Sequence, residues 1–268
     1  MNSQNKEKPR YGFVAIRYFA ITGLIGLIAL VGSLIAFMFR ILAPPMNLVF
    51  LLVGIPVAYI CLHISLSYIP LYFRLLRPPR IPGVWTSIVK AMNFSGEVSI
   101  LDVGCGTGMV SISLARQLPQ AHVTGIDLFH GVSGHSPIQP TRNAQLENVA
   151  DRVSFRQGNL LKIPFPDSSF DLVTAGSVLH ELHGDELRLQ SLREIMRVLK
   201  PGGKFISVEM LRDRRMKVAF LLFSCVWMSK MYWKVLHEQA GFINQKVEEY
   251  TRFLNLGVFI CEKSSKIN

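Results

Sequence analysis

The sequence predicts an α/β fold, a doubly wound and mostly parallel sheet carried behind a pair of apolar helices. Three observations predict it. Val98-Ser99-Ile100-Leu101-Asp102-Val103 is a β-branched and apolar run, the pattern of a strand buried on both faces, and it breaks into Gly104, Gly106 and Gly108. From Glu97 onward, short apolar runs alternate with helical patterns, the rhythm of βαβ units. Ahead of them stand two long runs without a charge, Tyr18 to Phe39 and Leu48 to Phe73.

The first run, taken as a helix over 18–39, is about 33 Å long, enough for a bilayer core. A cleaved signal peptide has an apolar region of only ~7–15 residues, so the run reads as an anchor. A turn at Pro44-Pro45-Met46-Asn47 leads to the second run, a helix over about 48–73, with Pro56 and Pro70 inside it. Lys6, Lys8, Arg10 and Arg17 precede the pair, Arg74, Arg77 and Arg80 follow it, and the turn holds only Arg40. The positive-inside rule then places both ends in the cytosol, a transmembrane hairpin over residues 1–80 with the lipid bilayer as partner. His63 sits within the second helix, most simply as a neutral ring bonded to a neighbour such as Ser67. Arg77-Pro78-Pro79-Arg80-Ile81-Pro82-Gly83 is a stiff linker to a domain of residues 81–268, which Trp85 and the stretch to Met92 cap.

Composition agrees with this division. The 268 residues are 50% hydrophobic with a mean hydropathy of +0.31, high for a chain without membrane segments. The net charge of +11 is concentrated in residues 1–90, where nine Lys and Arg face the single Glu7. The rest of the chain is close to balanced, which argues against a nucleic-acid partner. Cys61, Cys105, Cys225 and Cys261 lie far apart, form no C-x-x-C pair and predict neither a disulfide framework nor a metal site.

In the domain, strand one (Val98–Val103) leads through the glycines to a helix from Met109 to Gln117, whose positive end faces a ligand on the turn. Met109 stands where a dinucleotide fingerprint has its third glycine, and no lysine follows the glycines as in a P-loop. The turn is Asp102-Val103-Gly104-Cys105-Gly106-Thr107-Gly108, with an acid in it. A carboxylate suits a cofactor with positive charge better than an anionic phosphate. Strand two, His122–Asp127, ends in an acid able to accept from both hydroxyls of a ribose. A loop from Phe129 to Pro140 holds His130 and His135 and reads equally as a substrate lid or a surface loop. A helix Thr141–Asn148, strand three (Val153–Gln157) and a strand four running into Thr174-Ala175-Gly176-Ser177 follow. After them come a helix from Asp185 to Leu199, the stop Lys200-Pro201-Gly202-Gly203, strand five (Lys204–Leu211) and a helix to about Ala240. Strands Gln245–Tyr250 and Gly257–Glu262 complete seven strands, the last antiparallel.

The glycine turn resembles the first motif of class I S-adenosylmethionine (SAM) dependent methyltransferases, and the resemblance extends over nearly all of residues 95–263. Leu161-Lys162-Ile163-Pro164-Phe165-Pro166-Asp167-Ser168-Ser169-Phe170-Asp171-Leu172-Val173 and Arg197-Val198-Leu199-Lys200-Pro201-Gly202-Gly203 are similar to the subgroup that includes quinone and sterol methyltransferases. It implies a Rossmann-like seven-stranded sheet with SAM as cofactor, held by Asp102, Gly104, Cys105, Gly106, Thr107 and Gly108. Asp127 would hold the ribose, Leu128 would pack on adenine, and Asn159, where the family commonly has Asp, would accept from the adenine amine beside Leu160 and Ser177. No metal is expected. His180, Glu181 and His183 follow strand four at the sheet edge where such folds hold their reactants, and His180 is the first candidate for a general base. An Asn/Asp-Pro-Pro-aromatic tetrad, frequent there in enzymes that methylate amino groups of bases, is absent.

Residues 216–234 depart from the family: basic residues flank the uncharged run Val218–Met228 beside Tyr232 and Trp233, as in a helix lying at a membrane interface or a buried helix of the domain, with the interface favoured. The expected function is membrane-anchored methylation of a lipophilic acceptor: a quinone precursor, an isoprenoid or sterol, a phospholipid headgroup or a hydrophobic thiol. A small soluble thiol or amine as acceptor, or a non-catalytic SAM-binding scaffold, are the alternatives.

Overall fold

The computed structural model describes residues 9, 11, 15–38, 44–71, 85, 94, 96–130, 136–214, 216–217, 227–250 and 255–265. It divides into two compact units, the helix pair Phe13–Arg77 and the rest of the chain.

The pair consists of α1 (Ala15–Met38) and α2 (Pro44–Leu71), three to four residues earlier at their starts than the apolar runs. Pro44 and Pro45 open α2, where the first-turn N–H groups have no helical partner to lose. The side chains on the inside are small or polar: Gly26, Ser33, Ala58 and Ser65 are buried. A Cβ on Gly26 would meet Cys61 at 2.7 Å and one on Gly23 would meet Ser65 at 2.8 Å, so the helices touch through positions without side chains. The large apolar side chains face outward, among them Leu24, Ile28, Leu52 and Leu66. Among the described residues no helix is long and apolar enough to cross a membrane. Within these two helices the described side chains are 20–35, 37, 48 and 52–66.

The second unit is built on a seven-stranded mixed sheet in the order β3-β2-β1-β4-β5-β7-β6. Its elements are β1 (Val98–Val103), α3 (Met109–Gln117), β2 (Ala121–Asp127), α4 (Ile138–Leu146), β3 (Val153–Gln157), β4 (Phe170–Gly176), a 3₁₀ turn (Leu179–Glu181), α5 (Asp185–Val198), β5 (Leu199–Met210), α6 (Lys230–Gln239), β6 (Ile243–Tyr250) and β7 (Leu256–Glu262). β1 to β5 run parallel, and β7 is antiparallel to both β5 and β6. One core cluster packs Leu101, Val173, Leu192, Ile195, Phe205, Trp233 and Phe259, and the other packs Trp85, Ile100, Ile112, Leu114, Leu172 and Val258. Tyr11, ahead of α1, packs on this second cluster, and its hydroxyl donates to Glu147 at 3.4 Å.

Several boundaries shift by a residue or more from the sequence reading, and three of the differences have a visible local cause. α4 begins at Ile138 rather than Thr141, because Pro140 falls in the first turn and Thr141 bonds back to the Pro137 carbonyl through both its N–H and its hydroxyl. β5 begins at Leu199, which pairs with Phe170 ahead of an irregularity in the β4 register, so the Pro-Gly-Gly stop lies within the strand element. From Lys230 the expected interfacial stretch is the start of α6, a domain helix with Trp233 and Leu236 buried, because their ring and alkyl faces turn onto the sheet. Met216 and Trp227 are also buried, and 218–226 lie outside the described residues, as do the linker 77–83 and loop residues 131–135.

Candidate active site

The strand order reverses between β1 and β4, which opens a crevice beyond their carboxyl ends. Three loops meet at this edge: 104–108 after β1, 127–129 after β2 and 177–181 after β4. The backbone is forced there. Gly104, Gly106 and Gly108 have φ of 69°, 51° and 80°, and Phe129 and Ser177, which are not glycine, also stand at φ 49° and 54°. Such conformations cost about 1–3 kcal/mol in a residue with a side chain and collect where geometry serves a ligand. A Cβ on Gly104 would meet Val178 at 2.5 Å, and one on Gly108 would meet Phe155 at 2.6 Å, so the turn lies tight against its neighbours.

Asp127 ties the first two of these loops together. Its Oδ2 accepts from the N–H of Gly106 at 3.0 Å and its Oδ1 from the N–H of Phe129 at 2.9 Å. Each oxygen keeps a further lone pair for a ribose hydroxyl. The Leu128 side chain beside it is half exposed, an apolar surface next to a polar clamp. Gly104 and Cys105 donate to the Ile126 carbonyl, at 2.8 and 3.1 Å, and the Thr107 carbonyl accepts from the buried Asn143 on α4 at 2.9 Å. Asn143 was missed in the sequence, because its place under the turn depends on packing 36 residues away.

Asp102 faces the other way. Its carboxylate is buried and accepts from the Ser111 N–H (3.1 Å), the Ser111 hydroxyl (2.5 Å) and the Thr174 hydroxyl (2.9 Å). Burial raises its pKa to about 6 against the pull of those bonds. Asp102 therefore pins α3 and β4 to β1, and the charge next to the cradle comes from Asp127. Burial, followed by the charges of Asp102 and Asp127, holds the Cys105 thiol well above its usual range and keeps it protonated.

Asn159 turns its side-chain oxygen onto the Leu161 N–H at 2.9 Å, and Leu160 is buried. Ser177 donates its N–H to the Val208 carbonyl at 2.7 Å, which links the end of β4 to β5. Of the three expected acid–base residues, Glu181 and His183 are exposed, whereas His180 is largely buried. The His180 Nδ1 lies 2.7 Å from Glu209 Oε2, and the other oxygen of Glu209 accepts from the Leu179 N–H at 3.0 Å. Burial lowers the His180 pKa, but the hydrogen bond and charge of Glu209 outweigh it and the net shift is upward. Glu209, fully buried in β5, was not among the expected site residues, although an acid within the apolar run Phe205-Ile206-Ser207-Val208 was its signal. Among the described residues no group of three or more His, Cys, Asp or Glu is placed to hold a metal ion.

Residues 101–207 match the family model described as a methyltransferase domain. These residues form a methyltransferase domain. The chain is 36% identical over 122 residues to the demethylmenaquinone methyltransferase of Listeria monocytogenes serotype 4a, which covers 45% of this chain and 48% of that protein. It is 33% identical over 166 residues to the demethylmenaquinone methyltransferase of Symbiobacterium thermophilum, covering 61% and 62%. The chain thus spans about half the length of the first of these relatives. In fold, the methyltransferase domain is similar to a SAM-dependent methyltransferase from Aquifex aeolicus (TM-score 0.57, 21% identity, 69% of this chain and 93% of that one). It is equally similar to the [4+2]-cyclase SpnF (TM-score 0.57, 20% identity, 69% and 82%), so the fold by itself does not fix a reaction.

The cradle fits SAM, the cofactor of this domain type. Asp127 offers acceptors for a ribose, Leu128 an apolar face for a base, and residues 102–108 contain no lysine or arginine that would select phosphate. When bound, SAM supplies a methyl group already activated on a sulfonium.

Proposed function

We propose that this protein transfers a methyl group from SAM to a lipophilic, quinone-type acceptor held at a membrane surface. The observation that carries the proposal is the inverted packing of the helix pair covalently joined to the SAM cradle: large apolar side chains outside, small and polar ones inside. Without a hydrophobic drive between helices, membrane helices associate through small residues that let backbones approach, and present their large apolar side chains to lipid. The described side chains alone make no span long and apolar enough to cross a membrane, but over their full bounds α1 and α2 have 24 and 28 residues, lengths of about 36 and 42 Å at 1.5 Å per residue, and Arg17 is the single charge in either sequence. Tyr11 ahead of α1 belongs to the catalytic unit, as does the chain after α2, which an even number of crossings requires. The excess of Lys and Arg on both flanks supports a cytosolic side for that unit. The names of the relatives support a quinone-type ring as acceptor.

The residues' work is mainly alignment. The loops at 104–108, 127–129 and 177–181 hold donor and acceptor at one sheet edge, where a near-attack separation of about 3–3.5 Å replaces a bimolecular encounter. Confinement of the domain to the bilayer surface raises the local concentration of an acceptor dissolved there.

Incubation of the full chain in lipid nanodiscs with methyl-labelled SAM and a total membrane lipid extract tests this reading. Label is expected in the organic phase. Label in a water-soluble product would replace the lipophilic acceptor by a small thiol or amine, and no release would make the chain a SAM-binding scaffold. Alkaline carbonate is expected to leave the protein in the membrane pellet, and extraction into the supernatant would remove the anchor.

A further inference from the structure

We propose that Glu209 is a positioning residue for His180: it fixes the imidazole with Nδ1 protonated and Nε2 free to take a proton from the acceptor. The inference rests on the methyl-transfer reading and sharpens it, because it commits the enzyme to an acceptor that must lose a proton. A hydroxyl or an activated ring carbon is such a group; a neutral amine is not, since it attacks with its own lone pair.

The geometry is specific. Glu209 is fully buried, and both its oxygens are used by one short turn, Oε1 by the Leu179 N–H at 3.0 Å and Oε2 by His180 Nδ1 at 2.7 Å. A buried carboxylate is costly to keep, and this one is satisfied by a backbone group and an imidazole alone among the contacts seen. An ionised carboxylate only accepts, so Nδ1 carries the proton and Nε2 holds the lone pair. The turn begins three residues after β4 ends, with Ser177 and Val178 between, so His180 lies at the carboxyl edge of the sheet with the glycine turn and Asp127. Two other charged groups act on the ring: Glu181 on the same turn raises its proton affinity and Arg188 on α5 lowers it.

The contrast with His237 shows what the partner does. That ring is buried among Phe205, Trp233, Phe242 and Phe259, with, among the described residues, only Ser207 Oγ near its Nε2 at 3.5 Å, and burial drives its pKa down to about 3. His180 is also mostly buried yet shifts upward, because a carboxylate faces it.

A bond forms between the acceptor atom and the methyl carbon while the bond from that carbon to sulfur breaks, its electron pair staying on the sulfur. The proton leaving the acceptor goes to His180 Nε2. The resulting imidazolium is held by Glu209 until the proton passes to water.

Glu209→Gln tests the arrangement with little change of shape. The amide oxygen can keep the Leu179 N–H, which turns the amide nitrogen toward Nδ1. Nδ1 must then accept, and the proton moves to Nε2. Nitrogen-15 spectra of the histidine rings are expected to show the Nδ1–H tautomer in the unaltered full chain and the Nε2–H tautomer in E209Q, with His180 titrating at lower pH. Calorimetry should show unchanged SAM binding, which also reports a folded domain. In methyl transfer, kcat should fall about 100-fold in both E209Q and H180Q, the usual scale for loss of a positioned base, with the KM for SAM unchanged. The acid limb of the remaining E209Q activity should move to lower pH.

An unchanged tautomer in E209Q would overturn the positioning role, and full kcat in H180Q would overturn the base. A full chain that binds SAM and transfers no methyl to any extract defeats the transferase reading first, and the proton step with it. An active chain in which H180Q is equally active defeats this proposal alone.

Discussion

The helix pair and the sheet domain bury opposite kinds of side chain. In the domain the largest buried groups are Trp85, Trp227, Trp233, Phe205 and Phe259. Among the described residues of α1 and α2 the buried positions are Gly26, Ser33, Ala58 and Ser65, and large apolar side chains, mostly leucine, isoleucine and valine, are exposed. In water the drive to remove apolar surface decides which side faces in. Where lipid is the solvent that drive is absent, and close backbone approach decides instead. On the membrane reading proposed above, one chain carries two packing rules, and the boundary between them falls where the sequence turns from uncharged runs to alternating strands and helices.

Matched leucine substitutions sharpen this difference most. Leu101→Ala, at a fully buried position in β1, should cost about 2–5 kcal/mol in denaturant unfolding of the domain. Leu24→Ala, on the outside of α1, should leave that transition within about 0.5 kcal/mol. Equal losses would mean that the two units share one core.

The burial of the His237 ring among aromatic side chains gives the domain a pH dependence. His237 has its folded pKa depressed to about 3, below the 6.5 of an unfolded chain, so the unfolded state binds the extra proton. The stability it allows is complete above pH 6.5 and declines by about 1.4 kcal/mol per unit as pH falls toward 3. Asp102, raised from 3.8 to about 6, has the opposite slope between those values, and it acts equally in a variant that keeps it. The stability of His237→Phe relative to the unaltered chain should therefore rise as pH drops below 6.5. Unfolding curves at pH 7, 6 and 5 measure it, and a pH-independent difference would contradict the buried neutral ring.

Two glycines of one helix make the smallest contrast. A methyl at Gly26 meets Cys61 at 2.7 Å and the Ala58 carbonyl at 3.2 Å, whereas one at Gly32 meets nothing within 4 Å. Gly26→Ala should weaken the helix pair by about 1–3 kcal/mol, as overpacking does, and Gly32→Ala should be neutral or slightly stabilising. Thermal unfolding in detergent, followed by helical circular dichroism, separates the two, and equal effects would break the small-residue seam.

Much of this architecture was legible in the residues. The β1 run, the glycine turn and the acid closing β2 are local patterns, and each appears where its spacing placed it. What was not legible depends on pairing across the sheet. Glu209 meets His180 across 29 residues because β5 lies beside β4, and periodicity carries no such information. Asp102 read as a cofactor contact because it adjoins the glycines. A strand alternates its faces, however, and Ser111 and Thr174 take the carboxylate inward. The early start of α4 was hidden by Pro137 and Pro140, which break a helix in its middle and are tolerated in its first turn.

The central claim is that SAM rests on the turn at 104–108 with its ribose on Asp127. Isothermal titration calorimetry of the full chain with SAM, and with its demethylated product, tests it most directly. A saturable heat with both ligands, lost in Asp127→Ala and unchanged in Leu24→Ala, is the result predicted. Absence of heat in the unaltered protein, or undiminished binding by the Asp127 variant, would contradict it.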